Sequence, residues 1–324
     1  MDSLKQIQAP ISREMVEFED YFRGAMRSEN GLLDKISHYI IKRKGKQMRP
    51  MFVFLSSRMF GETKESSYVA ASMIELLHTA TLVHDDVVDD AQARRGFFSI
   101  NALWKNKIAV LVGDYLLSRG LMISVDKGEF KLLQITNRAV KEMSEGELLQ
   151  QEKSRLLNIT EEVYYQIIRQ KTASLIAACC HSGAAAAGAD DDAQQRMYEF
   201  GILVGLAFQV KDDLFDYGEE GDIGKPTGID IQERKMTLPL IHVLQKSDGK
   251  TRREIMNVIK NHNTDRTRVK ALIKKIHEAG GIRYATQKMN EFREQARAIL
   301  QTFPENPARN GLEQLLDYTI NRTK

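Results

Sequence analysis

Of the six prolines in this 324-residue chain, none lies between Met51 and Lys225. Proline breaks a helix by removing a backbone donor and by clashing with the preceding turn. A proline-free span of that length, rich in Ala, Leu, Met, Glu and Gln, predicts a succession of long helices. Nowhere does apolar–polar alternation run long enough to build a sheet. Breaks are marked at "GETKES" (61–66), "DKGEF" (126–130), "LNITEE" (157–162) and "GADDDAQ" (188–194). Acidic residues in the second and fourth suit helix starts, and Thr160 in the third is a ready N-cap. No fixed-period repeat or low-complexity linker divides the chain, so one all-α domain is expected over residues 1–324. From residue 246 onward the composition turns more charged, as outer, solvent-facing helices require.

A net charge of +3 over this length gives no general case for a nucleic-acid partner. Cys179 and Cys180 are adjacent, which suits neither a disulfide framework nor a spaced zinc motif; a reducing cytoplasm is expected. The opening "MDSLKQIQAP" lacks a basic region followed by an apolar run, so no signal peptide is expected. The longest apolar stretch, around "GILVGLAFQV", is far too short and too glycine-interrupted to span a bilayer. A soluble cytoplasmic protein without a membrane span is the expectation.

Acidic residues stand out against this background. In "LVHDDVVDDAQARRG" (82–96), Ala70, Ile74, Leu77, Thr81, Asp85 and Asp89 recur three or four apart and share one helix face, with His78 close to it. The carboxylates thus continue an apolar stripe that should point into the core. Buried uncompensated charge is costly, so a cation or arginines must neutralise Asp85 and Asp89. Two carboxylates one turn apart suit Mg²⁺, which takes one or two of them, keeps waters, and completes its shell with phosphate oxygens. An EF-hand is excluded, because Asp90 stands where that loop needs glycine. Alone, the cluster reads equally as a solvated acidic helix end paired with Arg94 and Arg95. But "FQVKDDLFD" (208–216) repeats the DDxxD pattern: Asp212 and Asp216 extend a stripe through Met197, Gly201, Val204, Gly205 and Phe208. Two such stripes on separate helices would make an acidic mouth that binds a diphosphate through metal.

Donors for the outer phosphate oxygens are also present. "KRKGKQMRP" (42–50) offers Lys46 and Arg49, with Gly45 permitting a tight turn. By itself it would read as a solvated basic loop. Arg94 and Arg95 supply forked guanidiniums. Lys171 and Thr172 open a small-residue helix in "QKTASLI", and Lys225 sits in "GEEGDIGKPTG". That glycine-rich segment is not a P-loop, since Glu219 and Pro226 occupy required positions; a lid is expected instead.

Taken together, "GKQMRP", "HTATLVHDDVVDDAQARRG", "QKTA" and "FQVKDDLFDYGEEGDIGKPTGIDIQERKMTLPLI" resemble the trans-isoprenyl diphosphate synthases, nearest their bacterial octaprenyl-type branch. The resemblance covers nearly the whole chain. It departs at "QERKMTLP", where relatives commonly carry Glu-Gly-Lys, and at Asp90, where Glu or Asn is more usual. It implies a single-domain helical bundle around a deep central cavity, usually homodimeric, with Mg²⁺ as cofactor. It implies that Lys46, Arg49, His78 and Arg95 grip isopentenyl diphosphate. Asp85, Asp89, Asp212 and Asp216 would hold Mg²⁺ against an allylic diphosphate such as farnesyl diphosphate, helped by Arg94, Lys171, Lys225 and Lys235. Lys171, Thr172, Gln209 and Lys225 would be catalytic, Thr172 and Gln209 presenting dipoles to the developing allylic cation. Peripheral membrane contact during product release is a further expectation.

In the resembled family a bulky aromatic five residues before the first Asp stops elongation early; that position is Ala80 here. No aromatic occurs between Val69 and Asp89, which leaves about three helical turns or ~16 Å of wall from Ala80 back to Val69. Leu77, Ile74 and Met73 would line or floor a deeper channel, unless they are simply core. A product near octaprenyl is expected. Three other readings are weaker. An HD-type metal phosphohydrolase, suggested by His84-Asp85, leaves the second DDxxD and Lys46–Arg49 unexplained. A terpene cyclase shares the fold but usually replaces the second DDxxD. A non-catalytic partner subunit has no need of intact charged motifs.

Overall fold

The break signals fall where helices begin and end, in a computed structural model that describes residues 2–42, 45–94, 97–218 and 227–321. The first helices are α1 (Asp2–Gln8), α2 (Ser12–Met26), α3 (Gly31–Ile41), α4 (Met48–Arg58) and α5 (Glu65–Val88). A short antiparallel ribbon follows, β1 (Ala93–Arg94) with β2 (Phe97–Phe98), pairing Ala93 with Phe98 and Arg94 with Phe97. Next come α6 (Ile100–Asp126), α7 (Phe130–Leu156), α8 (Glu161–Ile168), a π-turn over Arg169–Ala173, α9 (Ser174–Ala187) and α10 (Asp191–Phe215). The remainder is α11 (Ile229–Gln232), α12 (Leu238–Lys246), α13 (Gly249–Asn261), α14 (Arg266–Glu278), α15 (Gly281–Gln301) and α16 (Pro307–Asn321). Among the described residues that ribbon is the only sheet, so the chain is all-α as expected. Thr160 caps α8 by accepting from the Val163 N–H at 3.3 Å, and Asp190 caps α10 by accepting from the Ala193 N–H at 2.7 Å.

Backbone contacts gather the chain into two compact units, each discontinuous in sequence. One comprises Met1–Val140, Ala178–Tyr198 and Glu305–Leu312; the other comprises Lys141–Ala177, Glu199–Pro304 and Glu313–Lys324. In the first unit α5 packs along α6. Leu76, Ala80 and Val83 of α5 share a buried cluster with Ile100, Ala109, Val112 and Leu116 of α6, joined by Met26 and Ile36. The remaining surface of α6 is open: Leu103, Val110, Leu111, Met122 and Val125 are exposed. Its apolar window has a mean hydropathy of 1.6, yet only 33% of it is buried. Among the described residues α6 alone is long and apolar enough to cross a bilayer by length and composition. "GILVGLAFQV" is therefore not the chain's strongest apolar segment; single charges such as Lys107 and Asp114 disguise α6 in the sequence.

The second unit is organised around α15, against which α12 and α14 pack, with α8 on α12. Its unusual element is the π-turn, and glycines explain how it fits. A Cβ at Gly146 of α7 would lie 2.8 Å from Gln170 Cβ and 2.9 Å from the Lys171 nitrogen. A Cβ at Gly205 of α10 would lie 2.3 Å from Ala173 Cα. Two neighbouring helices therefore touch the backbone of the turn itself, which a side chain at either position would forbid. A Gly205→Ala substitution is expected to lower the unfolding free energy by about 1–3 kcal/mol through overpacking against backbone that has no rotamer to give. Denaturant titration of the variant measures this, and an unshifted midpoint would refute the close approach.

Candidate active site

In the first unit the basic segment is positioned by a reversal of the backbone. Gln47 has a left-handed φ of 52° at the N-cap of α4, and Pro50 occupies the first turn, where no intrahelical donor is missed. Arg49 is thereby brought to α5, where its guanidinium donates to Glu75 Oε2 at 3.3 Å and to His78 Nε2. Glu75 and His78, three residues apart, share a helix face. Sequence reading selected Arg49 and His78 but missed Glu75, whose only signal is that spacing. Lys46 is exposed at the mouth of the segment. Nearby, burial pushes the Cys179 thiol far up, with the adjacent Cys180 adding to the shift and Arg49 opposing it, so both cysteines are packing residues.

The first acidic motif corrects the expectation of buried charge. Ala70, Ile74 and Leu77 are buried, Thr81 is half-buried, and Asp85 and Asp89 are exposed. The stripe runs off the core as α5 ends. Asp86, which the pattern did not select, is the buried carboxyl at 4% exposure; its backbone carbonyl accepts from Asn101 Nδ2 at 3.1 Å. The reason is angular: the second residue of DDxxD lies about 100° around the helix from the first, so the two cannot share a face. Arg94 lies on β1, while Arg95 is outside the described residues. Ala80, Leu77, Ile74 and Met73 are all buried, Ala80 within the cluster shared with α6.

In the second unit the second motif repeats this division. Asp213 is buried at 6% exposure, while Asp212 and Asp216 are half-buried. Asp216 caps α11: its Oδ1 accepts from the Ile229 N–H at 2.9 Å and its Oδ2 from the Asp230 N–H at 3.0 Å. Asp213 Oδ2 accepts from the Tyr164 hydroxyl at 2.6 Å and its Oδ1 from Gln209 Nε2 at 2.8 Å. Burial nevertheless pushes Asp213 up to about 7, its two donors working against the shift and Asp212 and Asp216 adding to it. Burial also raises Asp216, against its backbone donors. Asp230 is pushed up to about 8, first by burial and then by the charges of Asp213 and Asp216. Sequence reading missed Asp230, which stands in "GIDIQERK" outside either DDxxD.

Cationic and dipolar groups of the same unit surround these acids. The π-turn carries Lys171, whose ammonium donates to Gln150 Oε1 at 2.8 Å and pairs with Glu147 on α7. Burial would raise Glu147, but Lys171, with help from Lys235, more than offsets it and holds the carboxyl below its ordinary value. Lys235 donates to Glu233 at 2.5 Å. Thr172 Oγ1 donates to Gln209 Oε1 at 2.7 Å. Lys225 lies outside the described residues. Glu147 and Gln150 had no signal in the sequence, because polar residues in a long helix are unremarkable.

Carboxyls held above their ordinary range by burial, with neighbouring charges adding to it, are groups whose energy a bound divalent cation would lower. The donor set fits Mg²⁺. Among the described residues no three His, Cys, Asp or Glu gather into a cation cage, so most of the shell would come from water and phosphate oxygens, as that ion prefers.

Comparison with known proteins agrees with this geometry. The Polyprenyl synthetase family model matches residues 30–276. The chain is 32% identical over 323 residues to the octaprenyl diphosphate synthase of Escherichia coli strain K12, covering 99% of this chain and 100% of that protein. A decaprenyl diphosphate synthase from Rhodobacter capsulatus superposes with a TM-score of 0.93 at 33% identity, with 99% of each chain covered. A polyprenyl synthase from Caulobacter crescentus CB15, complexed with calcium and isoprenyl diphosphate, superposes with a TM-score of 0.89 at 31% identity, covering 99% of this chain and 98% of that one. Agreement of sequence and fold along the full length, added to the acidic and basic groups above, means that the chain belongs to the polyprenyl synthetase family of prenyltransferases.

Proposed function

We propose that this enzyme joins isopentenyl diphosphate to an allylic diphosphate, farnesyl diphosphate as first primer, in a Mg²⁺-dependent head-to-tail (1′-4) condensation. Repetition yields an all-trans polyprenyl diphosphate near octaprenyl, for a quinone side chain or a related isoprenoid. The observation that carries the reading is the group of carboxyls Asp213, Asp216 and Asp230, which the capping of α11 by Asp216 holds at the end of α10 and which burial raises, with Lys171 and Lys235 in the same unit. Asp85, Asp89, Asp212 and Asp216 would hold Mg²⁺, which would neutralise charge gathering on the departing diphosphate. Arg94, Lys171, Lys225 and Lys235 grip the allylic diphosphate, while Lys46, Arg49, His78 and Arg95 grip isopentenyl diphosphate. As the allylic C–O bond breaks, Thr172 and Gln209 aim fixed dipoles at the cation. The C3–C4 double bond of isopentenyl diphosphate attacks it, and the proton lost afterwards passes to the released pyrophosphate. Apolar walls exclude water that would quench the cation.

The exposed apolar face of α6 supports a homodimer, since a soluble monomer rarely leaves so much contiguous apolar surface wet; the cytoplasm is the compartment proposed for it. Product release then involves peripheral contact with a membrane. The relatives named above differ in product length, and the small side chain of Ala80 is what favours a long product here.

Purified enzyme given farnesyl diphosphate, labelled isopentenyl diphosphate and Mg²⁺ should form a product that chromatographs near octaprenyl diphosphate. Chelation of the metal should abolish it, and Asp85→Asn or Asp212→Asn should each lower kcat by roughly a hundredfold. Full turnover in excess chelator would sink the metal's role. Ala80→Phe should shorten the product; if it instead lowers stability by about 1–3 kcal/mol and leaves length unaltered, Ala80 is core and no wall. Leu111→Glu should convert the dimer to monomer in sedimentation velocity, and an unaltered sedimentation coefficient would place the interface elsewhere.

A further inference from the structure

We infer that Asp213 is not a metal ligand but a positioning residue, one that sets the direction of the hydrogen bonds reaching Thr172. This rests on the prenyltransferase reading above and deepens it. Four side chains form an unbroken relay inside the second unit. The Tyr164 hydroxyl donates to Asp213 Oδ2 at 2.6 Å, Gln209 Nε2 donates to Asp213 Oδ1 at 2.8 Å, and Thr172 Oγ1 donates to Gln209 Oε1 at 2.7 Å. Asp213 is 6% exposed and Tyr164 3% exposed, so neither carboxylate oxygen is turned to solvent.

Donor and acceptor counting fixes the sense of the relay. Both oxygens of Asp213 accept, one from the Tyr164 hydroxyl and one from Gln209, so the amide of Gln209 turns its NH₂ toward Asp213. Its carbonyl then faces Thr172, and because a hydroxyl has one proton, that proton is committed to Gln209. What Thr172 presents on its other side is lone pairs alone. An amide turned the other way would donate to Thr172 and free the hydroxyl proton to point outward, where it would repel a developing allylic cation. Tyr164 completes the lock by occupying the second carboxylate oxygen. The middle Asp of this DDxxD therefore differs in task from its two neighbours, although the sequence writes all three alike.

Exchange of the charged and amide groups tests this. Asp213→Asn leaves a side chain that can satisfy either amide orientation, so kcat should fall about tenfold, with KM for farnesyl diphosphate and the Mg²⁺ half-saturation unchanged within about twofold. Gln209→Glu sets two acceptors against each other and should lose at least as much. In the double variant Asp213→Asn/Gln209→Glu, carboxylate and amide change places while Thr172 still donates. Its kcat should return to within about threefold of wild type. Neither a metal ligand nor a purely structural side chain would be rescued by this exchange. A rise of about tenfold or more in Mg²⁺ half-saturation for Asp213→Asn, or a double variant no better than the singles, overturns the proposal. Should Asp213→Asn not fold, Tyr164→Phe removes one lock without altering charge; it should lower kcat about threefold at constant KM, and an unchanged kcat overturns the proposal. If wild-type enzyme consumes no isopentenyl diphosphate, the prenyltransferase reading itself falls; if wild type turns over and Asp213→Asn equals it, only the positioning role falls.

Discussion

Burial of carboxyl groups that the fold will not let separate dominates the electrostatics of the second unit. Asp213 and Asp216 sit at the end of α10, and Asp230 sits in the first turn of α11, which Asp216 itself caps. Every one of them is raised, burial being the leading cause and the neighbouring charges adding to it. Such an arrangement is poor as a stability device, because ionised acids in low dielectric oppose folding. It makes sense as a place prepared for positive charge that arrives with a ligand. Lys171 and Lys235 meet that need only in part: Lys171 pairs with Glu147 and Gln150, and Lys235, which also donates to Glu233, opposes the rise of Asp230 without cancelling it.

Helix geometry explains why each DDxxD divides its labour. Residues one and five of the stretch lie on one side of a helix, and residue two lies about 100° away. Where the outer pair is open, the middle carboxyl must turn toward protein and find donors there. Asp213 finds Tyr164 and Gln209, and Asp86 is buried in the same register. Position within the motif, not residue type, sorts carboxyls that can meet a cation from those that serve the interior.

Much of this was legible in the sequence because it depends on local rules. Absence of proline gave the long helices, and Thr160 and the Asp190 region gave their starts, since caps act within one turn. His78 and the DDxxD pairs stand out because spacing on a helix is periodic, and Arg49 because it lies in a dense basic segment. What stayed hidden depends on partners distant in sequence. Glu75 matters only because α4 delivers Arg49 to it, and Asp230 only because α11 begins beside Asp216. Burial of Asp86 instead of Asp85 was misjudged because an apolar stripe shows which face continues but not where the core stops. The π-turn could not be read at all: it exists because Gly146 and Gly205 admit its backbone, and a glycine inside a helix carries no label saying what it makes room for.

A carbocation sets conflicting demands, and the relay from Tyr164 to Thr172 meets them in sequence. Negative charge nearby stabilises the cation, yet a carboxylate in contact would add to it and end the reaction as an ester. Placing the carboxylate of Asp213 behind the amide of Gln209 separates the two effects. Its field is felt through an oriented amide and hydroxyl, whose dipoles need no reorganisation when charge appears, while the outermost atom is a neutral hydroxyl oxygen. That oxygen is a far weaker nucleophile than carboxylate, and its proton is already held by Gln209. The burial of Tyr164 serves the same end, since it keeps water from competing with the hydroxyl that donates to Asp213 Oδ2.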